Sequence, residues 1–472
     1  MSMSTSGLSR RKHASAFGAL RRSFVAAAFL SGAGGPAIAD EIGDIKEQMQ
    51  VLSDHLRRLE ERQQVQQAAP AAEPINDAQK GGGLLKPFTI PGTNTTLRVG
   101  GYVKGDGIYD TKASSGDQTT ISALPLKGTP AAEREGVTRL HARQSRVNIE
   151  TNTPTSYGNL KTFVEGDFFG DGTTGNELRT NSTNFHIRHA YGEFGPFLAG
   201  QTWSNFIDTD TYVETIDFSG AAGLTFLRQA QFRYTYTLLP GTTWSTAVEN
   251  PESDFIANPA AAGNNNAVNT NSVGATTGNN KDKIPDFTTR FTTLNEWGKF
   301  TLAGMVRDIG VDVSSTSGTV FTGRRGHATG WGLSHQGIIY THFGKDQINY
   351  QISGGDGIGR YLFNAVGTGA NFNAATGFIE TQTAWGGYIG YRHWWTDTLR
   401  TNLTYGFDRL SNDVAITGTA VNKRDSDYHV NLIWSPFERT NFGAEYIYGS
   451  RETVDGNKGY ESRVQVAAQY LF

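Results

Sequence analysis

The chain ends in "VQVAAQYLF", Val464 to Phe472, and the strictness of its alternation decides the fold class. Val464, Val466, Ala468, Tyr470 and Phe472 fall on one face of an extended strand. Arg463, Gln465, Ala467 and Gln469 fall on the other, with Leu471 as the only breach. Successive side chains of a strand point to opposite faces, so one face is apolar and the other mostly polar. A soluble domain can use such a strand, but its last residues are usually frayed and polar. A strand that keeps the pattern to a terminal aromatic residue suits the closing stave of a lipid-embedded barrel.

Composition narrows the choice. A chain of 472 residues suggests several soluble domains on length alone. Its 57 glycines, 11% aromatic residues and lack of cysteine, with a mean hydropathy of −0.42, fit a large soluble β-sandwich and an outer-membrane barrel equally. Outside the N-terminus there is no run of about 18 apolar residues, so spanning helices are excluded. The absence of cysteine removes disulfides, thiolate metal sites and thiol nucleophiles together.

The N-terminus predicts the compartment. "SRRKHASAFGALRR" is a basic segment carrying Arg10, Arg11, Lys12, Arg21 and Arg22. The apolar "SFVAAAFL" follows it, then "AIA" before Asp40. This is the layout of a secretory signal peptide over residues 1–39, cleaved after Ala39. Its removal leaves 37 positive against 45 negative side chains, a balance that does not suggest nucleic acid as a partner.

From Asp40 to Gln67 the period changes. Ile42, Ile45, Met49, Leu52, Leu56 and Leu59 recur at alternating spacings of 3 and 4, an a/d seam that predicts a short coiled-coil helix. So short a helix is marginal alone, so the seam is read as an oligomerisation element, and a homotrimer is expected. Residues 68–83, "AAPAAEPINDAQKGGG", read as a flexible linker.

The remainder, residues 84–472, repeats one device. Segments of about ten residues alternate in polarity, the length and pattern of transmembrane strands. In "LRVGGYVKGDGIYD" Leu97, Val99, Val103 and Tyr109 oppose Arg98, Tyr102, Lys104 and Asp106. In "KFTLAGMVRD" Phe300, Leu302 and Val306 oppose Thr301, Ala303 and Arg307. Tight connections such as "LPG" and "WTDT" contain good turn residues. They contrast with long Gly/Asn/Ser/Thr stretches at Pro251 to Lys283, Val311 to Gly330 and Leu410 to Arg424. Unpaired edges cannot face lipid, so the expected fold is an all-β transmembrane barrel of about 16 antiparallel strands. Tyr109, Tyr157, Trp244, Trp394, Trp395, Tyr446 and Tyr448 are expected in interfacial girdles.

Several stretches resemble the DcaP-like outer-membrane porins. They are "FTIPGTNTTLRVGGYVKGDGIYD", "HARQSRVNIETNTPTSYGNLKTFVEGDFFG", "IRHAYGEFGPFLAGQTWSNFIDTD", "GDGIGRY" and "YRHWWTDTLRTNLTYG". The resemblance runs from about Asp40 to Phe472. It implies a trimer of 16-stranded barrels with an N-terminal periplasmic coiled coil, passing small and often anionic solutes such as dicarboxylates. It also implies that Tyr470 and Phe472 form the signal read by the barrel-assembly machinery.

A porin needs a constriction rather than a catalytic constellation. The candidate is the connection Ser204 to Leu227, whose acids Asp208, Asp210, Glu214 and Asp217 are flanked by Gly220 and Gly223. Parity places Arg98, Lys104, Arg146, Arg233, Arg290, Arg307, Arg392, Arg400 and Arg463 on the lumen face, with Arg188 and Arg228 as further candidates. Basic walls opposite an acidic loop would set a transverse field suited to carboxylates. Equally, these arginines could pair with Asp106, Glu150, Glu165, Asp167 and Asp408 inside a wet barrel. No cofactor is expected. Asp208, Asp210 and Glu214 lack the spacing of a calcium loop. "GGDGIGR" lacks the helix and lysine–hydroxyl pair of a phosphate loop and reads as strand and turn. The competing functions are a barrel hydrolase, for which a pair such as His429 with Asp408 can be imagined from proximity in sequence alone, and a general non-selective or structural barrel. A TonB-dependent transporter would need a plug domain that residues 40–83 cannot supply.

Overall fold

In the computed structural model, residues 50, 87–170, 180–181, 183–257, 281–313, 324–373 and 376–472 are described. The signal peptide, the coiled-coil residues Ile42, Ile45, Met49, Leu52, Leu56 and Leu59, and the linker lie outside these residues. Sixteen strands form the wall. They are β1 (Thr96–Lys112), β2 (Arg146–Thr155), β3 (Gly158–Asp167), β4 (His186–Phe194), β5 (Phe197–Trp203), β6 (Arg228–Leu239), β7 (Thr242–Glu249) and β8 (Asp286–Asn295). They continue with β9 (Gly298–Val313), β10 (Arg324–Tyr340), β11 (Gln347–Asp356), β12 (Thr383–Trp394), β13 (Leu399–Leu410), β14 (Asn422–Trp434), β15 (Thr440–Thr453) and β16 (Lys458–Leu471). Each pairs antiparallel with the next, and β16 pairs with β1 from Tyr102↔Leu471 upward. The sheet therefore has no free edge, which is the condition for a sheet to stand in lipid.

The terminal residue completes the seam. Gly101 N–H donates to Phe472 O (3.1 Å), and Phe472 N–H donates to Gly101 O (2.9 Å). Gly101 has φ +146°, and a Cβ there would lie 2.1 Å from Arg146 O. Only glycine permits this close approach of the first two strands.

The barrel is inverted relative to a soluble protein. Val103, Ile149, Phe232, Leu302, Leu333, Ile389, Leu403, Leu432 and Val466 are exposed on the outside. Lys104, Asn148, Gln231, Thr301, Gln336, Asn349, Gln351, Asn402 and Gln465 are buried on the inside. Alternation with period two produces this arrangement directly. No helix among the described residues is long and apolar enough to cross a membrane.

Two expectations are corrected here. Val311 to Gly330 is not a long loop, because β9 runs to Val313 and β10 starts at Arg324. Trp394 does not join the outer girdle. It has the inward parity of Arg392, and the Arg400 guanidinium lies 5.2 Å from its ring centre.

The short-turn end links strands by two to six residues, whereas the other end carries inward-folded segments. One of these, between β11 and β12, contributes Ile358, Tyr361, Leu362 and Ala365. They pack with Phe206, Ile207, Tyr212, Val213 and Leu224 into an apolar cluster inside the barrel. A small sheet of Phe255–Ala257, Ala370–Asn373 and Phe378–Thr381 lies at the same end.

Candidate channel constriction

The segment between β5 and β6 folds into the barrel and is buried along nearly all of its length. Its base is closed by Ser204 N–H donating to Leu227 O (3.0 Å). From there it follows the inner wall, and an inward-facing polar side chain meets it at almost every strand. Asn205 N–H donates to Glu249 of β7 (2.7 Å). Asp208 N–H donates to Gln336 of β10 (2.9 Å), while its carboxylate accepts from Lys299 (2.7 Å) and Thr301 (2.6 Å) of β9. Asn349 of β11 donates to Thr211 O and Tyr212 O (3.1 and 3.0 Å).

At Glu214 the segment meets two arginines. Arg400 of β13 donates through Nη2 and Nε at 2.6 and 2.8 Å, and Arg392 of β12 approaches to 3.3 Å. Two successive backbone amides, Ile216 and Asp217, donate to the two oxygens of Glu445 on β15 (3.0 Å each). Lys104 of β1 donates to Ile216 O (2.8 Å). Asp217 accepts from Arg463 of β16 (3.3 Å) and from Thr119 N–H (3.1 Å).

The return limb is held as firmly. Ala222 N–H donates to Asp427 of β14 (2.8 Å), Gln351 donates to Gly223 O (2.9 Å), and the Tyr212 hydroxyl bonds Thr225 O across the two limbs. Gly223 has φ +75°, and a Cβ would lie 2.1 Å from Phe407 O and 2.2 Å from Gly387 N. The segment is therefore pressed against the wall at a point where only glycine fits.

This geometry revises the picture of an acidic loop facing basic walls across an open lumen. The carboxylates and guanidiniums are in contact. Asp208 and Asp210 share Lys299, Glu214 takes Arg392 and Arg400, and Asp217 takes Arg463. Burial pushes the Asp208 carboxyl up, but Arg290, Lys299 and Thr301 together hold it below the usual carboxylate range. Asp208 and Asp210 converge on Lys299 while Glu214 takes two arginines, and no His/Cys/Asp/Glu group suited to a metal occurs among the described residues.

The remaining basic candidates divide into two kinds. Arg98 pairs with Glu150 (3.2 Å), Arg146 with Glu165 and Asp167 (3.4 Å each), and Arg307 with Asp254 (2.8 Å) and Asp286 (3.7 Å). Lys104 lies 3.0 Å from Asp106. Arg233 and Arg290 instead bond neutral acceptors. Arg233 donates to Gln231 (2.9 Å) and Trp203 O (3.0 Å), and Arg290 donates to Ile207 O (2.6 Å). Arg188 is fully buried against Glu165 and Asp167 (3.1 and 2.9 Å), and Arg228 stacks on Trp203 and Phe226.

Charge is consequently uneven around the wall. Strands β2 to β8 carry Arg146, Arg188, Arg228, Arg233 and Arg290 beside the acids Glu150, Glu165, Asp167, Glu249 and Asp286. On the β13–β16 side buried Asp408, Asp425, Asp427, Glu445 and Glu461 outnumber buried Arg400 and Arg463. His429 sits between Asp427 (3.2 Å) and Glu445 (3.3 Å), not against Asp408.

Lys299, Gln336, Asn349, Gln351 and Glu445 anchor the segment and had no motif to announce them. Their only signal is inward parity combined with a polar side chain.

A model of the DcaP outer membrane protein family matches residues 35–472. The outer membrane channel DcaP of Acinetobacter baumannii superposes with a TM-score of 0.67 at 23% identity, covering 82% of this chain and 100% of that one. The porin Omp2b of Brucella suis is 29% identical over 153 residues, which is 32% of this chain and 36% of that relative's length.

Proposed function

This chain belongs to the DcaP outer membrane protein family, and from that premise we propose that it is a porin, a passive channel for small hydrophilic solutes with a preference for anions such as dicarboxylates. The observation that carries the reading is the Ser204–Leu227 segment, bonded strand by strand to the inside of a closed, polar-lined barrel. A loop held in this way reduces the width of a passage without needing a catalytic group.

The anion preference rests on the β2–β8 wall. There Arg233 spends its donors on neutral oxygens and keeps its charge for the passing solute, while Arg290 bonds Ile207 O and its charge also acts on Asp208. Guanidinium forks suit carboxylates, which they bind in parallel pairs. The carboxylates on the β13–β16 side complete a transverse field. Arg98, Lys104, Arg146, Arg307, Arg392, Arg400 and Arg463 belong to the lining, but their charge is spent largely on local carboxylates. The working unit is proposed to be a homotrimer tied together by the heptads of residues 40–67. Tyr470 and Phe472 are proposed to act as the assembly signal. The hydrolase reading has no support from the His429 environment, whose partners are two carboxylates.

The test is planar-bilayer conductance of the refolded mature protein under a salt gradient, with dicarboxylate then added. Steps grouped in threes, a reversal potential on the anion side and dicarboxylate blockade are the expected outcome. A cation-side reversal potential would discard the arginine argument and keep the channel. Silence from a folded barrel would discard both.

A further inference from the structure

On the outward face of β13–β16 the residue type changes in step with height. One tier, Leu403–Val430–Tyr446–Val464, runs directly across the four strands and is apolar with one aromatic. The next tier toward the long-loop end is Tyr405–Tyr428–Tyr448–Ser462, and above it comes Phe407–Ser426–Ser450–Tyr460. Beyond these aromatic tiers lies Arg409–Arg424–Glu452–Lys458, with Lys423 beside it at the β14 bulge. The order apolar, aromatic, cationic is the order of hydrocarbon, interface and headgroup.

The cationic tier is not neutralised by the protein. Three basic side chains, Arg424, Lys458 and Lys423, share a single carboxylate, Glu452. Arg424 forks onto it (Nε at 2.9 Å), Lys458 lies at 3.7 Å and Lys423 at 4.0 Å. Arg409 lies directly opposite Arg424 and rests on the ring of Trp385, 5.8 Å from its centre. Like charges directly opposed across strands are unfavourable unless an anion intervenes. On the β9–β10 face the corresponding charges are more nearly matched, with Asp312 against Lys281 and Arg325, and Asp308 against His327. A hollow of about 250 Å³ opens among Tyr405, Phe407, Arg409, Arg424, Lys458 and Tyr460, with Arg451 and the carboxyls of Asp408, Asp425 and Glu452 also in its lining.

We propose that this tier is a binding site for the phosphate groups of a phosphorylated glycolipid in the outer leaflet. Short turns mark the periplasmic end of such barrels, so the tier stands at the height of the outer-leaflet headgroups. Guanidinium and ammonium groups around one hollow supply the forked and point-charge contacts that phosphate takes. The aromatic tiers below would hold the first segments of the acyl chains. Glu452 fixes the Arg424 fork and limits the net charge, so that a dianionic headgroup is matched rather than swamped.

The test uses the full-length mature protein in nanodiscs, with bound lipid counted by native mass spectrometry. The probes are bis-phosphorylated lipid A, the same lipid without phosphates, and phosphatidylglycerol. Bis-phosphorylated lipid A should be retained best, and Arg409→Gln/Arg424→Gln/Lys458→Gln should weaken it roughly tenfold or more. Unchanged heat-modified mobility and conductance would show that the barrel is intact. Glu452→Gln should retain the lipid more tightly. If the triple variant does not assemble, Arg409→Gln alone carries the same direction. Equal retention by the variants, or equal retention of the dephosphorylated lipid, overturns the site. Phosphatidylglycerol held as tightly as lipid A overturns the glycolipid assignment.

Discussion

Arg400 on the barrel wall and Glu214 on the inward segment form a forked ion pair, with Nη2–Oε1 at 2.6 Å and Nε–Oε2 at 2.8 Å, both side chains 1% exposed. Arg392 shares the same carboxylate (3.3 Å), so two cations converge on one anion. Breaking a buried pair by removing one partner costs about 3–5 kcal/mol, because the other charge is left uncompensated. Glu214→Gln should therefore lower the temperature at which the barrel loses its folded gel mobility. It also leaves Arg392 and Arg400 positive at the narrowing. The reversal potential in a salt gradient should move toward anion preference, and Arg400→Gln should move it the opposite way. A potential unmoved by either change would place the pair away from the ion path.

Gly223 tests whether the segment is held by the wall or merely rests near it. Its φ of +75°, and the 2.1 Å that would separate an added Cβ from Phe407 O, leave alanine no room. Positive φ alone costs a non-glycine residue about 1–2 kcal/mol, and the clash adds to that. Gly223→Ala should displace the return limb from β12 and β13. Larger or noisier single-channel steps are expected, with β-sheet content by circular dichroism unchanged.

The first anchor predicts a pH response. Burial raises the Asp208 carboxyl, but Arg290, Lys299 and Thr301 outweigh that and hold it below the ordinary range. A carboxylate with a depressed native pKa contributes stability that is fully present above its unfolded value, about 3.9, and is lost as pH falls through the lower native value. Conductance should accordingly stay constant from neutral pH to about pH 4.5 and become unstable only below the ordinary aspartate range. Asp208→Asn should show the acid behaviour already at neutral pH. A titration centred near neutrality in the native protein would refute the assignment of this anchor.

Parity explains how much of this molecule was legible. In "KFTLAGMVRD" and "YHVNLIW" one slip of register would exchange lipid and lumen faces, so the alternation of Leu302, Val306, Val430 and Leu432 reports the inward side of Thr301, Arg307, His429 and Asn431. The acids of Ser204–Leu227 could be recognised because they are dense within one long connection. Their partners could not, since Glu445 and Asp217 are 228 residues apart and their meeting depends on barrel closure. The segment that begins within "GGDGIGR" was equally opaque. Ile358, Tyr361 and Leu362 have no periodicity, and their burial follows from packing on another loop inside the barrel.

The chain end supplies the last prediction. Phe472 contributes in two separable ways: its backbone exchanges two hydrogen bonds with Gly101, and its side chain occupies the terminal aromatic position. Deleting Phe472 removes both bonds at the β1–β16 seam. Each such bond is worth about 0.5–1.5 kcal/mol net in water and more where lipid offers no substitute partner. Phe472→Ala keeps the backbone bonds and removes only the ring. In refolding from denaturant into detergent, where no assembly machinery is present, the deletion should lower barrel stability and the alanine variant should not. In cells, both should reduce the amount of barrel in the outer membrane if the ring is part of the assembly signal. Normal cellular levels of Phe472→Ala would restrict the role of the terminal residue to closing the seam.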